Sequence, residues 1–261
     1  MTLDGKVILV AGVGDGLGRE VARLALRDGA QVVVAARSAE KLEAIAQDLD
    51  PEGQRISACP TDILDSESCE RLAQQAIDRF GGLDAVVNVA ALDALFGTLE
   101  TTPDEDWKRA FETNVVGTLH VVRAAVPKLR ARGGGSVVLV GSRSQWFPPD
   151  NGQIAYASSK GALLSAMYHL VHELGPDRIR VNMVVPTWMW GPPVQMYVKW
   201  QSHERKISEQ AVIDEITSGM PLGDEIPADE DVAEAILFFC SNRSRMITGE
   251  TLQVHAGELL R

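Results

Sequence analysis

Val7-Ile8-Leu9-Val10-Ala11-Gly12-Val13-Gly14-Asp15-Gly16-Leu17-Gly18 passes from a β-branched apolar run into a cluster of glycines, then into the helical pattern Arg19-Glu20-Val21-Ala22-Arg23-Leu24. The first part carries no polar alternation, as expected of a strand covered on both faces. Glycines at a strand-to-helix turn let the backbone take positive φ and approach a pyrophosphate, whose charge the free N–H groups of the helix start stabilise. Gly12, Gly16 and Gly18 carry that spacing. An ordinary tight turn would also use glycine; the strand before and the helix after favour dinucleotide binding.

Outward from this loop, short apolar runs recur at Val32–Val34, Arg55–Ala58, Ala85–Val87, Ser136–Val140, Val181–Val185 and Thr251–Val254. Helical patterns separate them, over Leu17–Arg27, Ala39–Leu49, Ser66–Phe80, Pro103–Arg130, Tyr156–Leu174 and Asp229–Phe239, with Ser38, Asp65, Thr102 and Asp229 placed to cap. The alternation predicts an α/β fold: a doubly wound parallel sheet, Rossmann-like, with helices on both faces in three layers. No repeat or linker divides residues 1–261, so a single domain is expected. The stretch from about 186 to 227, rich in Trp, Met and Pro, breaks the rhythm and reads as an insertion over the carboxyl edge of the sheet, where open α/β folds bind ligands.

A formal net charge of -11 repels polyanions, which argues against nucleic acid as a partner. Cys59, Cys69 and Cys240 show no metal-ligand spacing and read as packed, reduced thiols, with no metal site. The polar start Met1-Thr2-Leu3-Asp4-Gly5-Lys6 runs straight into a strand, and no apolar span is long enough for a membrane. A cytoplasmic protein is expected.

Two further features carry chemistry. In Tyr156-Ala157-Ser158-Ser159-Lys160 a phenol and an ammonium lie one helical turn apart on one face. A nearby positive charge favours the phenolate and lowers a phenol pKa from about 10. At the end of the second strand, position 36 is alanine and position 37 arginine. An acid there would bond the ribose 2′-hydroxyl of NAD, whereas Arg37 suits the 2′-phosphate of NADP. That favours NADP(H), with NAD(H) possible, the bland reading being a solvated arginine at a helix start. Asp15 cuts the other way, unless it pairs with Arg37.

With the loop and the Tyr156–Lys160 pair in one chain, the sequence resembles the short-chain dehydrogenase/reductase family in its compact form, over nearly its whole length. Ala11 to Gly18, Leu17 included, resembles the family's glycine loop, with alanine for its threonine. The resemblance implies that Asp62-Ile63 meets the adenine, and that Asn88-Val89-Ala90-Ala91 matches an Asn-Asn-Ala-Gly stretch, bringing Asn88 and Ala90 to the cofactor. It further implies that Pro186 lies beside the cofactor, although Pro186-Thr187 stands where the family has Pro-Gly. Asn114, Arg180-Val181-Asn182 and Ile247–Leu252 match as well. The implied activity is hydride transfer between a nicotinamide and a carbinol carbon, with Tyr156 as acid/base, Lys160 supporting it and holding the nicotinamide ribose, and Asn114 opening its helix to hold a relay water. A serine after the fifth strand should hold the substrate oxygen. The family spacing of thirteen falls between Ser142 and Ser144, and Ser142 fits better at the mouth of the strand.

The substrate pocket is expected from the Ala91–Gly97 segment, the Arg143–Pro149 loop and Pro186–Trp200, with Trp146, Phe147, Trp188, Met189, Trp190, Met196 and Tyr197 enclosing a hydrophobic alcohol or ketone. Any one of these could instead pack on the sheet or a partner subunit. His203 reads as a surface residue, His169 and His172 as packing or interface groups. The helices Pro103–Arg130 and Tyr156–Leu174 match the family's subunit contacts, so a homodimer or homotetramer is expected. The competing readings are an inert dinucleotide-binding regulator and a non-redox lyase or dehalogenase on the same scaffold.

Overall fold

In a computed structural model that describes residues 2–148, 152–223 and 225–258, the apolar runs become β1 (Val7–Ala11), β2 (Gln31–Ala36), β3 (Ile56–Pro60), β4 (Ala85–Asn88), β5 (Gly135–Val140), β6 (Ile179–Pro186) and β7 (Thr251–Val254). They form one sheet in the order β3-β2-β1-β4-β5-β6-β7, and every pairing is parallel. Parallel neighbours need crossovers. These are supplied by α1 (Leu17–Arg27), α2 (Ala39–Leu49), α3 (Ser66–Phe80), α4 (Asp104–Phe111), α5 (Thr118–Arg132), α6 (Ile154–Leu174), α7 (Pro192–Arg205), α8 (Glu209–Thr217) and α9 (Asp229–Cys240).

The period of two along each strand divides the core. Ile8 and Val10 pack with Leu24, Leu42, Val232 and Phe239 from α1, α2 and α9. Val7, Leu9 and Ala11 point the other way, to Leu72, Leu129, Leu163 and Met167 from α3, α5 and α6. Each fully buried leucine contributes about 2 kcal/mol to holding a helix on the sheet. Gly81 (φ 77°) and Gly133 (φ 90°) end α3 and α5 in the left-handed conformation that glycine adopts freely.

The sequence direction reverses between β1, which leads out to β2 and β3, and β4, which leads the other way. The crossovers that follow β1 and β4 therefore run to opposite sides, and a crevice is left at the carboxyl edge beyond the point where their first residues meet. The end of β1 is tied to both neighbours: Gly12 and Val13 N–H donate to the Ala35 carbonyl at 2.8 and 2.9 Å, and Val89 and Ala90 N–H to that of Ala11 at 2.8 and 3.0 Å.

Several local expectations are corrected. The helix expected over 103–130 is interrupted by a π turn at Glu112–Gly117, which separates α4 from α5. Of the four caps, Asp65 accepts from Glu67 N–H, but Ser38 makes no capping bond. Thr102 lies one residue too early; its hydroxyl donates to the Thr98 carbonyl at 2.7 Å, and Pro103 precedes α4. The cap of α9 is Ala228, whose N–H is held by Asp231 at 2.8 Å. Asp229 is thereby left pointing elsewhere.

Candidate active site

A cleft of about 1100 Å³ runs along the carboxyl edge from the loop after β1 to the start of α7. Of the residues expected at a cofactor, Gly12, Gly16, Leu17, Arg37, Asp62, Ile63, Ala90, Pro186, Tyr156 and Lys160 line it. Three residues act behind its wall. A Cβ on Gly18 would lie 2.3 Å from the Gly12 carbonyl oxygen, so this glycine permits the loop to fold onto its own helix. Asn88 is buried and donates to Thr118 Oγ1 at 2.8 Å and to the Ala90 carbonyl at 3.3 Å, shaping the loop after β4. Asn114, inside the π turn, accepts from Leu92 N–H at 2.7 Å and donates to the Leu92 carbonyl at 3.0 Å and to Ser159 Oγ at 2.9 Å.

The loop glycines divide by what replaces their missing side chains. Gly12 (φ 97°) would place a Cβ 2.2 Å from Ala90 N, so the two loops touch through bare backbone. Gly14 faces open space, and Gly16 faces the cleft, where only Asp229 and Pro192 come near. Arg37 is exposed at the far rim. Asp15 does not pair with it: its carboxylate meets Lys41 at 2.5 Å, because the first turn of α2 brings that lysine over the loop.

At the other end, Tyr156 and Lys160 share one face of α6, with the ammonium 5.7 Å from the phenol ring centroid. Lys160 is buried and donates to the Val140 carbonyl at 2.8 Å. Ser142 begins a short 3₁₀ turn (Arg143–Gln145) after β5 and hydrogen-bonds Tyr156. The Ser144 hydroxyl donates to Ser142 Oγ at 2.9 Å, and Ser144 N–H does so at 3.3 Å. With its acceptor side engaged, the one proton of Ser142 is directed at the phenol. Ser144 thus sits behind Ser142 rather than in its place.

The expected depression of the phenol by its lysine does not hold in the protein alone. Burial pushes Tyr156 up to about 12; the Ser142 bond works the other way, and the Asp93 carboxylate adds to the rise. Burial also brings Lys160 down to about 8, opposed by Asp93. Both charged forms lose solvation in the same wall, and burial is the largest influence on each.

The substrate end is lined by Leu92, Asp93, Phe96, Arg143, Gln153, Thr187, Trp188, Met189 and Tyr197. Trp188 and Tyr197 stack at 5.3 Å between centroids. Trp146 instead packs against the core under α6, and Met196 points to solvent. Pro149 of the expected loop lies outside the described residues. Arg109, in the last turn of α4, and Glu112 and Thr113, at the start of the π turn, also reach the cleft, which the sequence did not signal because the helix break beside them has no local pattern. Glu258, near the chain end, was likewise missed. It pairs with Arg143 and accepts from Thr187, joining the loop after β5 to the end of β6. His169, His172 and His203 are exposed, the first two on α6 and the last on α7. Among the described residues there is no cluster able to hold a metal, no helix long and apolar enough to cross a membrane, and the three cysteines are free.

A doubly wound parallel sheet with a glycine loop at its switch point is the layout of a Rossmann-like fold, and a tyrosine and lysine lie one turn apart in its cleft. A family model for short chain dehydrogenase matches residues 6–201, and the chain belongs to this family, as the resemblance implied. Dehydrogenase/reductase SDR family member 4 of Bos taurus is 34% identical over 258 residues, covering 98% of this chain and 88% of the relative. A short-chain type dehydrogenase/reductase from Mycobacterium ulcerans superimposes with a TM-score of 0.88 at 27% identity, over 100% of this chain and 92% of that one. A 7α-hydroxysteroid dehydrogenase solved with NADH and 7-oxo glycochenodeoxycholic acid gives 0.85 at 27%, over 98% and 94%. The protein is an oxidoreductase of a family that acts on CH–OH groups with NAD(H) or NADP(H).

Proposed function

We propose that the protein interconverts a hydrophobic secondary alcohol and its ketone, with NADP(H) preferred to NAD(H) and Tyr156 as general acid and base. The observation that carries this reading is the convergence of Tyr156, Ser142 and Lys160 on one wall of a cleft that begins at the glycine loop. The residues present fit a dinucleotide: the bare backbone at Gly14 and Gly16 leaves room at the start of α1, and the Arg37 guanidinium on the rim of the same cleft supports a cofactor with a 2′-phosphate. When bound, the nicotinamide supplies or accepts the hydride.

The chain's own residues handle the proton. Ser142 holds the substrate oxygen beside the Tyr156 hydroxyl, and the proton passes between that hydroxyl and the oxygen, so no free alkoxide forms. Lys160 keeps a positive charge next to the phenol and bonds the ribose. Asn114 completes the path by which Lys160 exchanges protons with solvent, and its side chain keeps Leu92 and Ser159 in place. Leu92, Phe96, Trp188, Met189 and Tyr197 supply an apolar wall for a bulky substrate, and the steroid bound by one structural neighbour is of that kind. A cytoplasmic homodimer or homotetramer belongs to the same reading. Its support is the groove between α5 and α6, lined by Val122, Val126 and Leu170.

The test is a panel of ketones and alcohols with NADH, NADPH, NAD⁺ and NADP⁺, followed by nicotinamide absorbance. Tyr156→Phe should lower turnover at least about a hundredfold and leave cofactor affinity within about twofold; near-normal turnover would assign the proton step elsewhere. Cofactor binding without turnover on any substrate would favour the inert regulator, and no binding the lyase. Arg37→Ala should weaken NADPH by about tenfold or more and NADH by less than about twofold. Equal weakening would remove the NADP(H) preference from this reading.

A further inference from the structure

Asp229 occupies a place for which the activity gives no reason. One of its carboxylate oxygens lies 3.3 Å from where a Cβ on Gly16 would be, and the pair lie 2.7 and 3.0 Å from that position on Gly191. Gly16 is the residue before α1, Gly191 the residue before α7, and Asp229 itself opens α9. Three helix starts meet at one carboxylate that forms no hydrogen bond or ion pair among the described residues. Of these, α1 and α9 bring unpaired N–H groups and a positive dipole end to it, whereas α7, which opens on Pro192-Pro193, brings bare backbone at Gly191 and no N–H from its first two residues. It also lies on the wall of the cleft, beside the one loop glycine whose missing side chain faces both the cleft and a neighbouring group. A carboxyl group is therefore held where the field of α1 would receive a pyrophosphate.

Resting on the dinucleotide reading above, we infer that Asp229 is a charge gate for the cofactor. The pyrophosphate and the ionised carboxylate compete for the same field, so binding takes up a proton at Asp229 and weakens as the pH rises. Burial, and then the nearby Glu20, already hold its carboxyl above the ordinary carboxylate range. The other charged groups around it are satisfied by one another. Glu20 on α1 pairs with Arg23 at 2.8 Å and Arg19 at 3.8 Å, Glu230 on α9 with Arg23 at 3.3 Å, and Asp15 on the loop with Lys41. Asp231 turns back to the Ala228 N–H, and the start of α7 presents the uncharged Gly191 and Pro192. A second anion brought close raises the carboxyl further, so affinity is highest where Asp229 is neutral and falls until it is ionised in the complex too.

The experiment is calorimetric titration of NADH and of NADPH into the whole protein from pH 5.5 to 8.5, comparing wild type with Asp229→Asn and Asp229→Ser. For wild type the Kd of both cofactors should rise about tenfold across the range, with proton uptake visible as a binding heat that depends on the buffer. Both variants should bind NADH without that slope, and about tenfold more tightly than wild type at pH 8. The 2′-phosphate of NADPH titrates in the same range but adds a slope common to all three proteins and absent with NADH. The gate is overturned if wild type and variants share one NADH slope, or if the variants bind more weakly. If none of the proteins binds either cofactor, the dinucleotide reading falls and the gate with it.

Discussion

The two ends of the cleft are built on different rules. At the glycine loop the site is backbone: Gly12 meets Ala90, Gly18 meets Gly12, and the carbonyls of Ala11 and Ala35 hold the turn. At the substrate end the site is side chains brought from four distant stretches, with Arg143, Thr187 and Glu258 joined to one another and Trp188 stacked on Tyr197. A backbone site tolerates almost no added atom where it is packed, whereas a side-chain site can lose one contact and keep its shape. The sharpest way to break this contrast is within the loop itself. Gly12→Val adds a branched Cβ at φ 97° and 2.2 Å from Ala90 N, and should cost at least about 4 kcal/mol or prevent folding. Gly14→Ala, with nothing within 4 Å, should change stability by less than about 0.5 kcal/mol. Urea unfolding of both variants measures the difference, and similar losses would show that crowding is not what the loop glycines relieve.

The same contrast explains what could be read from the sequence. The strands, the first three helices and the loop were legible because backbone geometry imposes local spacing: glycine where φ is positive, apolar runs where both faces are covered. Tyr156 and Lys160 were legible because one helical turn fixes their relation. The pairing of Glu258 with Arg143 spans most of the chain and has no periodicity to report it. The position of Asp229 depends on where two other helices start. The break at Asn114 was legible only through the family resemblance, which implied that Asn114 opens its helix, and through no local pattern, so Glu112 and Thr113, which the π turn carries, and Arg109 just before it went unsignalled. The phenol was misjudged for a related reason: sequence shows the neighbouring charge but not the burial, which is the largest influence on it.

That burial gives the next largest effect, at the junction of the two ends. For Lys160 the folded pKa, about 8, lies below its ordinary 10.5. Between those values the unfolded chain binds more protons, so stability rises with pH in that window, and below it the buried charge costs roughly 3 kcal/mol. Lys160→Met removes this cost but leaves the Val140 carbonyl without its donor, a loss of about 1 kcal/mol. The variant, inactive in the proposed reaction, should therefore be more stable than wild type by about 2 kcal/mol at pH 7, with the margin closing by pH 10. Cys69, Cys240 and Tyr156 have raised pKa values and lower stability at high pH, but they are present in both proteins and cancel to first order in the difference. Unfolding of both proteins at pH 7, 8.5 and 10 gives the answer. A loss of stability independent of pH would mean that the amine is a structural tie and its charge is not held against solvation.

The smallest effect sharpens the comparison at the substrate end. Glu258 is mostly shielded, with a side chain 14% exposed against 25% for Arg143, and it holds the loop carrying Ser142 to the residue after Pro186. Glu258→Ala leaves a guanidinium without its carboxylate in a partly wet site, which costs about 1 kcal/mol. Because the two walls it joins would then move independently, KM for a ketone should rise several-fold while the Kd for NADPH stays within about twofold; Glu258→Gln, which keeps an acceptor for Thr187, should fall between. Steady-state kinetics beside cofactor titration separates these readouts. If NADPH binding weakens in step with KM, the two ends of the cleft are coupled through the sheet, and the division between a backbone site and a side-chain site does not hold.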